Sequence, residues 1–310
     1  MRVAFLLDHY DPARGGLERA TAVLARHLQR DGHEARVYGL TAARDVPGSF
    51  HRVEVGRAPR GELERSLAER SVAAARADGC DLVVGMRHCP EADVYWPHGG
   101  SHAATLAAGE ASRGPLAGTV ARWLHRVSPR HRVFLALEEE ALAGGARRIW
   151  AVSDLVRREL VEAVPACAPR IDVHANGVDR DIFHPRLRDR HRDAFCRHLG
   201  ISPDAPVFLF LGTNRRLKGW HVLLKALSGI THLRWTCVTA GPDAAEAALG
   251  GEGHGLTGRL VVAPYDDVRP LYGAADVMVQ PTFRDPCSLS TLEALASGVP
   301  VVTTTANGAA

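Results

Sequence analysis

Two carboxylates and the predicted helix start between them are the residues of this sequence best suited to chemistry. Asp285 precedes a predicted helix that begins near Ser288, and Glu293 lies inside it. A spacing of eight residues places two side chains about two helical turns apart on nearly the same face. Free backbone N–H groups near Cys287, Ser288 and Leu289 would attract a phosphate. The stretch therefore predicts hydroxyl acceptors at both ends and an anion site between them, which suits a sugar–diphosphate–nucleoside.

A basic turn follows the first predicted strand of the second half of the chain. Residues 212–219 read GTNRRLKG and include Arg215, Arg216 and Lys218. Taken separately, the turn is equally compatible with a solvated loop, and the Asp285–Glu293 pair with a loop acid and a solvated helix acid. Taken together, they favour one binding site.

Two glycine-containing loops in the first half also follow predicted strands. Gly15 and Gly16 end the loop after the strand at 2–7 and precede a segment with helical apolar spacing. His98 lies between a proline and two glycines in a loop after the strand at 81–85. Glycine lets the backbone approach a ligand, although a loop histidine is equally compatible with a solvated position. The first loop reads GGLER, so the GxGxxG dinucleotide fingerprint is absent.

Strands alternate with helices in both halves of the chain, which predicts two doubly wound α/β domains with parallel sheets. Predicted strands lie at 2–7, 34–40, 81–85, 149–152 and 171–174, and at 207–211, 233–240, 259–263, 276–280 and 299–303. A charged, proline-broken stretch at 180–206 separates the halves, and the predicted domains are 1–185 and 186–310. Ligands bind at the carboxyl ends of such strands, and we expect these ends to face each other across a cleft.

Composition excludes several classes of protein. The 310 residues are 46% hydrophobic and 24% charged, as in an ordinary soluble globular protein. A net charge of +3 does not indicate a nucleic-acid binder. The six cysteines form no CxxC pair, which favours reduced thiols in the cytoplasm over a disulfide framework or a zinc site. The sequence has no apolar run of the roughly 18 residues that a membrane span needs.

A basic amphipathic segment at residues 113–132 contains five arginines, two histidines and no acid. Apolar side chains are interleaved with these charges: Leu116, Val120, Trp123, Leu124 and Val127. This pattern predicts contact with an anionic membrane surface or an anionic substrate. It is equally compatible with a solvated helix face. RNA binding is a third interpretation, but the segment offers a single aromatic side chain for base stacking.

With these features in view, the chain resembles GT-B glycosyltransferases of family 4 over nearly its whole length. The segment FRDPCSLSTLEALASGVPVVTT at 283–304 is similar to the family's E-P-x-G-x-x-x-x-E-A-x-A-x-G-x-P-V-V, with Asp285 in place of the first glutamate. Four shorter matches support it: Gly15-Gly16, Asn176–Asp179, Lys218-Gly219 and Ala275–Val277. Residues 98–102 and 128–154 resemble lipopolysaccharide-core glucosyltransferases of the heptose-acceptor type.

The resemblance implies a retaining enzyme that transfers a hexose from a nucleotide sugar, such as UDP-glucose, to a glycan or lipopolysaccharide-core acceptor, with no metal and no cofactor. The implied catalytic residues are His98, Asp285 and Lys218. The implied donor-binding residues are Gly15, Gly16, Arg215, Arg216, Lys218, Cys287, Ser288, Leu289 and Glu293.

Each implied role has a chemical reason. Glu293 would bind the ribose hydroxyls through charge-assisted hydrogen bonds, and Asp285, one methylene shorter than the family's glutamate, would hold hydroxyls of the donor sugar. Lys218 would face the diphosphate with one of the two arginines, because Thr213 occupies the usual position of the family's arginine. His98 would contact the donor sugar or the acceptor hydroxyl. Residues 265–267 would lie beside the base or form a structural turn.

The partners implied are a nucleotide sugar, a glycan or lipid-linked saccharide acceptor, and an anionic membrane surface at 113–132, with no nucleic acid. The expected location is cytoplasmic, peripheral on the inner face of the plasma membrane. Two other functions stay open: a nucleotide-sugar 2-epimerase, and a non-catalytic GT-B binding protein, since Asp285 and Thr213 depart from the family pattern. The family continues past the last predicted strand, so we expect an incomplete C-terminal domain.

Overall fold

A computed structural model describes residues 1–13, 15–56, 60–202, 204–241, 251–264 and 266–310. The described chain divides into two units, one made of Met1–Glu110 with Leu116–Asn176 and the other of Gly177–Ala310 with Ala111–Pro115. The long stretch of the second unit thus begins at Gly177, earlier in the chain than the predicted boundary at 185–186. The reason is that Val178 and Phe183 pack into the core of the second unit. The sequence also predicts a short helix at 244–249, which lies outside the described residues.

Within the described residues of the first unit, seven strands form one parallel sheet. They are β1 (Arg2–Leu6), β3 (Glu34–Gly39), β5 (Ser49–Arg52), β6 (Leu82–Gly85), β7 (Val94–Tyr95), β8 (Arg148–Ala151) and β9 (Ile171–Val173), and a short pair consists of β2 (His9–Tyr10) and β4 (Thr41–Ala42). The order in the large sheet is β5-β3-β1-β6-β7-β8-β9. The five strands predicted for this half are confirmed, whereas β5 and β7 were not predicted.

Helices connect these strands on both faces of the sheet. They are α1 (Gly16–Arg30), α2 (Arg60–Ala77), α3 (His102–Ala111), α4 (Pro115–Val127), α5 (Pro129–Glu140) and α6 (Asp154–Ala163), with a π-turn at Ala141–Gly145 and a 3₁₀-helix at Pro165–Arg170. The basic segment at 113–132 is divided between α4 and α5. The division falls at Ser128, whose hydroxyl accepts the N–H of His131 and caps α5.

The side chains of β1 show why the sheet is covered on both faces. Val3 and Phe5 point to one face and pack in a core that includes α1, and Ala4 and Leu6 point to the other and pack in a core that includes α2. All four are at most 3% exposed. Alternation of this kind, with both sets apolar, is typical of a parallel strand buried between two layers of helices.

In the second unit, five described strands form a parallel sheet. They are β10 (Val207–Leu211), β11 (Thr236–Ala240), β12 (Leu260–Val262), β13 (Val277–Gln280) and β14 (Val301–Thr303), in the order β12-β11-β10-β13-β14. The described helices are α7 (Leu187–His198), α8 (Trp220–Ser228), α9 (Arg269–Ala274) and α10 (Leu289–Ala296). All five strands predicted for this half are confirmed, although β11 begins three residues later than the predicted Leu233.

Helix α7 was not predicted, because its segment was interpreted only as a charged, proline-broken boundary. Its buried side chains Leu187 and Cys196 belong to the core of the second unit. Gly273 of α9 packs so closely that an added Cβ would lie 2.5 Å from the carbonyl oxygen of Leu187. The few apolar residues of α7 therefore suffice to fix it, although its sequence is mostly charged.

The candidate site residues of the second unit follow from the pairing of two strands. β10 and β13 are parallel neighbours, so their carboxyl ends lie at the same edge of the sheet. The basic turn at 212–219 follows β10, and the loop at 281–287 follows β13. The topology thus places the predicted cations and Asp285 at one sheet edge, as the sequence predicted. Among the helices described, none has the length and apolar character to cross a membrane.

Candidate active site

An ion pair joins the two loops at this sheet edge. The ammonium group of Lys218 contacts Oδ2 of Asp285, and the side chains are only 19% and 8% exposed. Burying either charge without the other would cost free energy. The two largely buried side chains therefore hold each other in place. The two residues that the sequence assigned to the diphosphate and the donor sugar are therefore brought together.

The backbone around Lys218 shows how closely these loops approach. Gly219 has φ +80°, and an added Cβ would lie 2.0 Å from the carbonyl oxygen of Pro281. The carbonyl of Leu217 accepts hydrogen bonds from the N–H of Phe283 at 2.8 Å and from the hydroxyl of Thr282 at 3.0 Å. Only glycine fits at position 219, where both the left-handed conformation and the contact exclude a side chain.

Asp285 is fixed by a segment that the sequence reasoning did not connect to it. Its N–H donates to the carbonyl of Ala306 at 2.9 Å, and its carbonyl accepts the N–H of Gly308 at 2.8 Å. Asp285 lies in the loop before α10, whose first residue is Leu289. The helical-spacing argument for Asp285 and Glu293 therefore does not apply, and the strand-like pairing with residues 306–308 sets the position of Asp285.

The start of α10 is already partly satisfied within the chain. Ser288 is the N-cap, and its hydroxyl accepts the N–H of Thr291 at 3.3 Å. The N–H of Ser288 donates to Oδ1 of Asn307 at 3.4 Å. Ser288 and Cys287 are only 2% and 5% exposed. The predicted anion site at Cys287, Ser288 and Leu289 therefore offers fewer backbone donors than expected, because the Ser288 N–H already donates to Asn307.

Glu293 is buried, which removes the solvated-acid interpretation. It is 5% exposed, and its Oε2 accepts the hydroxyl proton of Tyr272 at 2.7 Å. Tyr272 in α9 is 1% exposed and was not among the predicted site residues. A signal was present, since a tyrosine in an otherwise apolar turn needs a partner for its hydroxyl when buried.

A buried glutamine links three elements behind the site. Gln280 ends β13 and is 0% exposed. Its Nε2 donates to the carbonyl of Leu211 at 2.9 Å, and its Oε1 accepts the hydroxyl of Ser288 at 2.9 Å. Gln280 was also missed by sequence reasoning. A polar residue that ends an apolar strand was the available signal.

The two arginines of the basic turn differ in their surroundings. Arg215 donates to the hydroxyl of Thr239 at 2.6 Å and to the carbonyl of Ala240 at 3.0 Å, and its guanidinium lies 5.6 Å from the ring centre of Trp220. Arg216 is exposed. Arg215 is thus engaged at the end of β11, whereas Arg216 faces solvent.

In the first unit, Gly15 and Gly16 stand at the start of α1. Gly15 is the N-cap with an extended backbone (φ −174°, ψ −177°) that any residue can adopt, and Gly16 is the first helical residue. A Cβ on Gly15 would lie 3.0 Å from Oε2 of Glu18. The helix therefore presents an N-terminus at this loop, as predicted, but the backbone angles of Gly15 do not by themselves require glycine.

His98 lies in a tight turn between β7 and α3. Its N–H donates to the carbonyl of Trp96 at 2.8 Å, and the N–H of Gly100 donates to the carbonyl of Pro97 at 2.7 Å. Gly100 has φ +69°, so the turn uses glycine's conformational freedom there. The rings of His98 and Trp96 meet edge to face at 5.7 Å.

The remaining predicted contact, at residues 265–267, falls partly outside the described residues, because Tyr265 is not described. Asp267 forms an ion pair with Arg269 at 2.8 Å at the start of α9. The hydrogen bond from Arg269 lowers the pKa of Asp267 below its usual value. In the described part of the chain, no group of three or more His, Cys, Asp or Glu side chains is arranged to hold a metal ion.

Two family models match the two halves of this chain. The family model described as "Glycosyltransferase Family 4" matches residues 14–182, and that described as "Glycosyl transferases group 1" matches residues 205–310. The chain is 24% identical over 322 residues to the lipopolysaccharide glucosyltransferase WaaG of Escherichia coli (strain K12), covering 99% of this chain and 81% of WaaG.

A second group of relatives matches over a shorter range. The D-inositol 3-phosphate glycosyltransferase of Paenarthrobacter aurescens (strain TC1) is 33% identical over 182 residues. That alignment covers 55% of this chain and 43% of the relative. The chain thus matches less than half the length of such relatives.

Solved structures show the same fold. A crystal structure of WaaG superposes with a TM-score of 0.80 at 23% identity, covering 99% of this chain and 82% of that one. HepE from Anabaena, in complex with UDP and glucose, gives a TM-score of 0.67 at 20% identity, with 100% and 82% covered. The predicted α/β fold of GT-B type is confirmed. Since one family model alone spans more than half of the chain, this protein belongs to glycosyltransferase family 4.

Proposed function

We propose that this protein is a retaining, metal-independent hexosyltransferase that uses a nucleotide sugar, UDP-glucose or a close analogue, and a glycan or lipopolysaccharide-core acceptor. The observation that carries the proposal is the largely buried ion pair of Lys218 and Asp285 beside the helix that holds Glu293. The names of WaaG, a lipopolysaccharide glucosyltransferase, and the UDP and glucose bound to HepE support the choice of donor and acceptor class.

In this proposal the second unit binds the donor. Glu293 accepts hydrogen bonds from the ribose hydroxyls, and Asp285 accepts them from hydroxyls of the hexose. The ammonium of Lys218 stabilises the charge that grows on the diphosphate as it leaves, without any reorganisation of solvent. Arg216, which is exposed, supplies the second cation, because Arg215 is engaged by Thr239 and Ala240.

The helix start supplies backbone donors for the same diphosphate. The N–H groups of Ser288 and Thr291 donate to Asn307 and to the Ser288 hydroxyl. We therefore assign the phosphate to the N–H groups of Leu289 and Ser290, the first two helical residues. Cys287 and Ser288 are both buried, and we assign them to the lining of this phosphate site.

The proposed reaction conserves the configuration at the anomeric carbon. The acceptor hydroxyl oxygen forms a bond to that carbon on the face from which the phosphate oxygen departs, and the hydroxyl proton passes to the departing phosphate oxygen. In the first unit we assign His98 to a hydroxyl of the acceptor and keep Gly16, the first residue of α1, as a proposed donor-binding residue. No metal is required, because Lys218 and Arg216 supply positive charge.

Turnover of nucleotide sugars by the purified protein tests this proposal. We expect UDP-glucose to raise the melting temperature more than GDP- or ADP-glucose. We also expect release of UDP with a lipopolysaccharide-core acceptor. Lys218→Ala should lower kcat about 100-fold or more, and Glu293→Ala should raise the donor Kd, whereas Lys225→Ala, an exposed lysine of α8, should change neither.

Three outcomes would contradict the proposal. Normal turnover in Lys218→Ala and Glu293→Ala would remove the site assignment. Absence of stabilisation by every nucleotide sugar would favour a non-catalytic binding protein. Isomerisation of the nucleotide sugar without release of the nucleotide would favour a 2-epimerase.

We further propose that α4 attaches the protein to an anionic membrane surface, which would make it a peripheral protein on the inner face of the plasma membrane. The large apolar side chains of α4 point to solvent: Leu116 is 87% exposed, Trp123 63% and Val120 59%. The side of α4 that is buried carries the small residues Gly118 and Ala121. An amphipathic helix turned outward in this way needs an apolar partner.

The charge around α4 favours a lipid surface as that partner. Exposed arginines flank the apolar stripe at Arg113, Arg126 and Arg132, and the segment 113–132 contains no acid. Gly118 allows α4 to lie close against α3, since an added Cβ would be 2.6 Å from the carbonyl oxygen of Glu110. Basic side chains beside an exposed apolar stripe are complementary to anionic head groups above acyl chains.

A further inference from the structure

Three consecutive acids end α5, and only one of them points inward. Glu138 is 3% exposed, whereas Glu139 and Glu140 are exposed. Burying a carboxylate costs free energy unless hydrogen bonds compensate for it. A buried acid at this position therefore calls for a defined task.

The carboxylate of Glu138 holds the start of another helix. Its Oε1 accepts the backbone N–H of His102, the first residue of α3, at 2.8 Å. Its Oε2 accepts the hydroxyl of Ser101 at 3.3 Å. Ser101 is itself 1% exposed, and its hydroxyl also accepts the N–H of Ala104 at 3.4 Å. The negative charge lies where the α3 dipole is positive, which strengthens both bonds.

The hydrogen bonds to Glu138 fix the turn that carries His98 at its C-terminal end, where α3 begins. The other end is held by the pairing of Val94 and Tyr95 in the sheet and by the bond from Gly100 to Pro97. Between these two anchors only a few residues remain, so the backbone at His98 has little freedom. Glu138 therefore supplies a buried, charged anchor at the end of the turn where α3 begins.

We infer that Glu138 is a positioning residue that sets the placement of His98 for its contact with the acceptor hydroxyl. The inference rests on the proposed function of His98. Glu138 acts through the loop at 98–102 and touches no substrate itself. Its action is transmitted by the Ser101 hydroxyl and the His102 N–H.

The direct test is a double-mutant cycle with Glu138→Gln and His98→Ala. The amide of glutamine keeps the volume of the side chain and can accept from only one of the two donors. We expect Glu138→Gln to lower kcat about tenfold with an unchanged Kd for UDP, and to have no further effect in the His98→Ala background, because residues that act as a unit are not additive. Glu139→Gln, the exposed neighbour, is the matched control.

The outcomes separate this inference from the proposed function. A tenfold loss on adding Glu138→Gln to His98→Ala would overturn the positioning role. Wild-type kcat in His98→Ala would remove the catalytic role of His98 and, with it, the target of the positioning. A lower kcat in the Glu139→Gln control would show that the charge of α5 matters and the hydrogen bonds to Glu138 do not. This result would also overturn the inference.

Hydrogen exchange gives a readout that does not depend on activity. We expect backbone amides of residues 98–104 to exchange at least tenfold faster in Glu138→Gln than in the wild type, with amides of β1 and β6 unchanged. Ser101→Ala, which removes one donor and leaves the His102 N–H, should give an intermediate increase. If the amides of residues 98–104 exchange in Glu138→Gln at the wild-type rate, the positioning role of Glu138 is overturned, even if no turnover assay succeeds.

Discussion

The hydroxyl of Tyr272 donates a hydrogen bond of 2.7 Å to Oε2 of Glu293. The two residues lie on different helices, α9 and α10, and both are nearly inaccessible to solvent. The Tyr272 ring is held edge to face against Phe183 at 5.6 Å. The carboxylate that we assign to the ribose is therefore oriented by a residue outside its own helix.

Replacement of Tyr272 by phenylalanine tests this orientation. The change removes the hydroxyl and keeps the ring, so Glu293 loses a buried donor. We expect a loss of about 1–3 kcal/mol in the free energy of unfolding, typical for a hydrogen bond to a charged group. We also expect the Kd for UDP to rise about tenfold, a change of roughly 1.4 kcal/mol. Urea unfolding and titration calorimetry measure the two quantities.

Tyr38→Phe is the matched control for Tyr272→Phe. Tyr38 is a buried tyrosine of β3 in the first unit, and its hydroxyl donates to Oδ2 of Asp78 at 2.8 Å. We expect this control to lose stability without a change in UDP binding. Equal Kd values for UDP in the wild type and Tyr272→Phe would contradict the orienting role.

Substitution of Gly219 probes the close approach of the basic turn to the Asp285 loop. Gly219→Ala would place a Cβ 2.0 Å from the Pro281 carbonyl oxygen at a residue with φ +80°. Strain and contact together should cost about 2–4 kcal/mol of unfolding free energy. Gly200→Ala, with φ +66° and open space around it, should cost only about 1 kcal/mol. Similar losses in both variants would show that the contact with Pro281 is unimportant.

Much of this site could be predicted from the sequence because it depends on local patterns. The apolar runs at 207–211 and 277–280 are short and bounded, and strand alternation with helices forces them to be parallel. Lys218 and Asp285 both follow the carboxyl ends of predicted strands, so both are expected on the same side of the sheet. The pairing of β10 with β13 and the ion pair between Lys218 and Asp285 were not predicted, because no local pattern gives the order of strands in a sheet.

Other parts of the site depend on contacts that no local pattern encodes. Asn307 accepts the N–H of Ser288 from 19 residues away, and Tyr272 reaches Glu293 from 21 residues away. Helix α7 was missed because its sequence is mostly charged, and its packing against α9 was not visible in the sequence. Tertiary contacts of this kind override local preference.

Vesicle binding tests the attachment of α4 to lipid. The double change Leu116→Ser and Trp123→Ser removes two exposed apolar side chains. We expect it to lower binding to vesicles that contain anionic lipid about tenfold or more, because each large side chain contributes about 1.5–3 kcal/mol when buried. The melting temperature should be unchanged, since neither side chain packs in the core. Sedimentation with vesicles measures the binding.

The control for α4 is Leu233→Ser, which changes an apolar residue of the second unit that is 52% exposed and should leave vesicle binding unchanged. Binding should also fall as salt increases and be weak on vesicles of neutral lipid, because arginines contribute through charge. Equal binding by the double variant and the wild type would contradict the proposed surface. Saturable binding of a soluble anionic saccharide at α4, with none to vesicles, would assign the segment to substrate instead.

A group of histidines near α5 should make the first unit sensitive to acid. Burial first, and then the charges of neighbouring histidines and arginines, lower the pKa of His88 to about 3 and that of His102 to about 4, from the usual 6.5. His102 and His131 share one hydrogen bond of 3.1 Å between ring nitrogens, which requires an unprotonated acceptor. Between about pH 4 and 6.5 the imidazoles of His88 and His102 are therefore neutral in the folded protein, whereas in the unfolded chain they bind protons.

The sign of the pH dependence follows from this difference. Above pH 6.5 both states are neutral and the full stability is present; between 6.5 and about 4 the unfolded chain binds more protons, so stability falls as the pH falls. His88→Phe keeps a ring between Tyr95 and Phe134 and removes one titrating group. We expect it to reduce the slope of unfolding free energy against pH in this window by up to about 1.4 kcal/mol per pH unit. The control is His232→Gln, at an exposed histidine, which should leave the slope unchanged. Urea unfolding between pH 4.5 and 7.5 measures the slope. A wild-type slope for His88→Phe would show that His88 is not neutral in the folded protein.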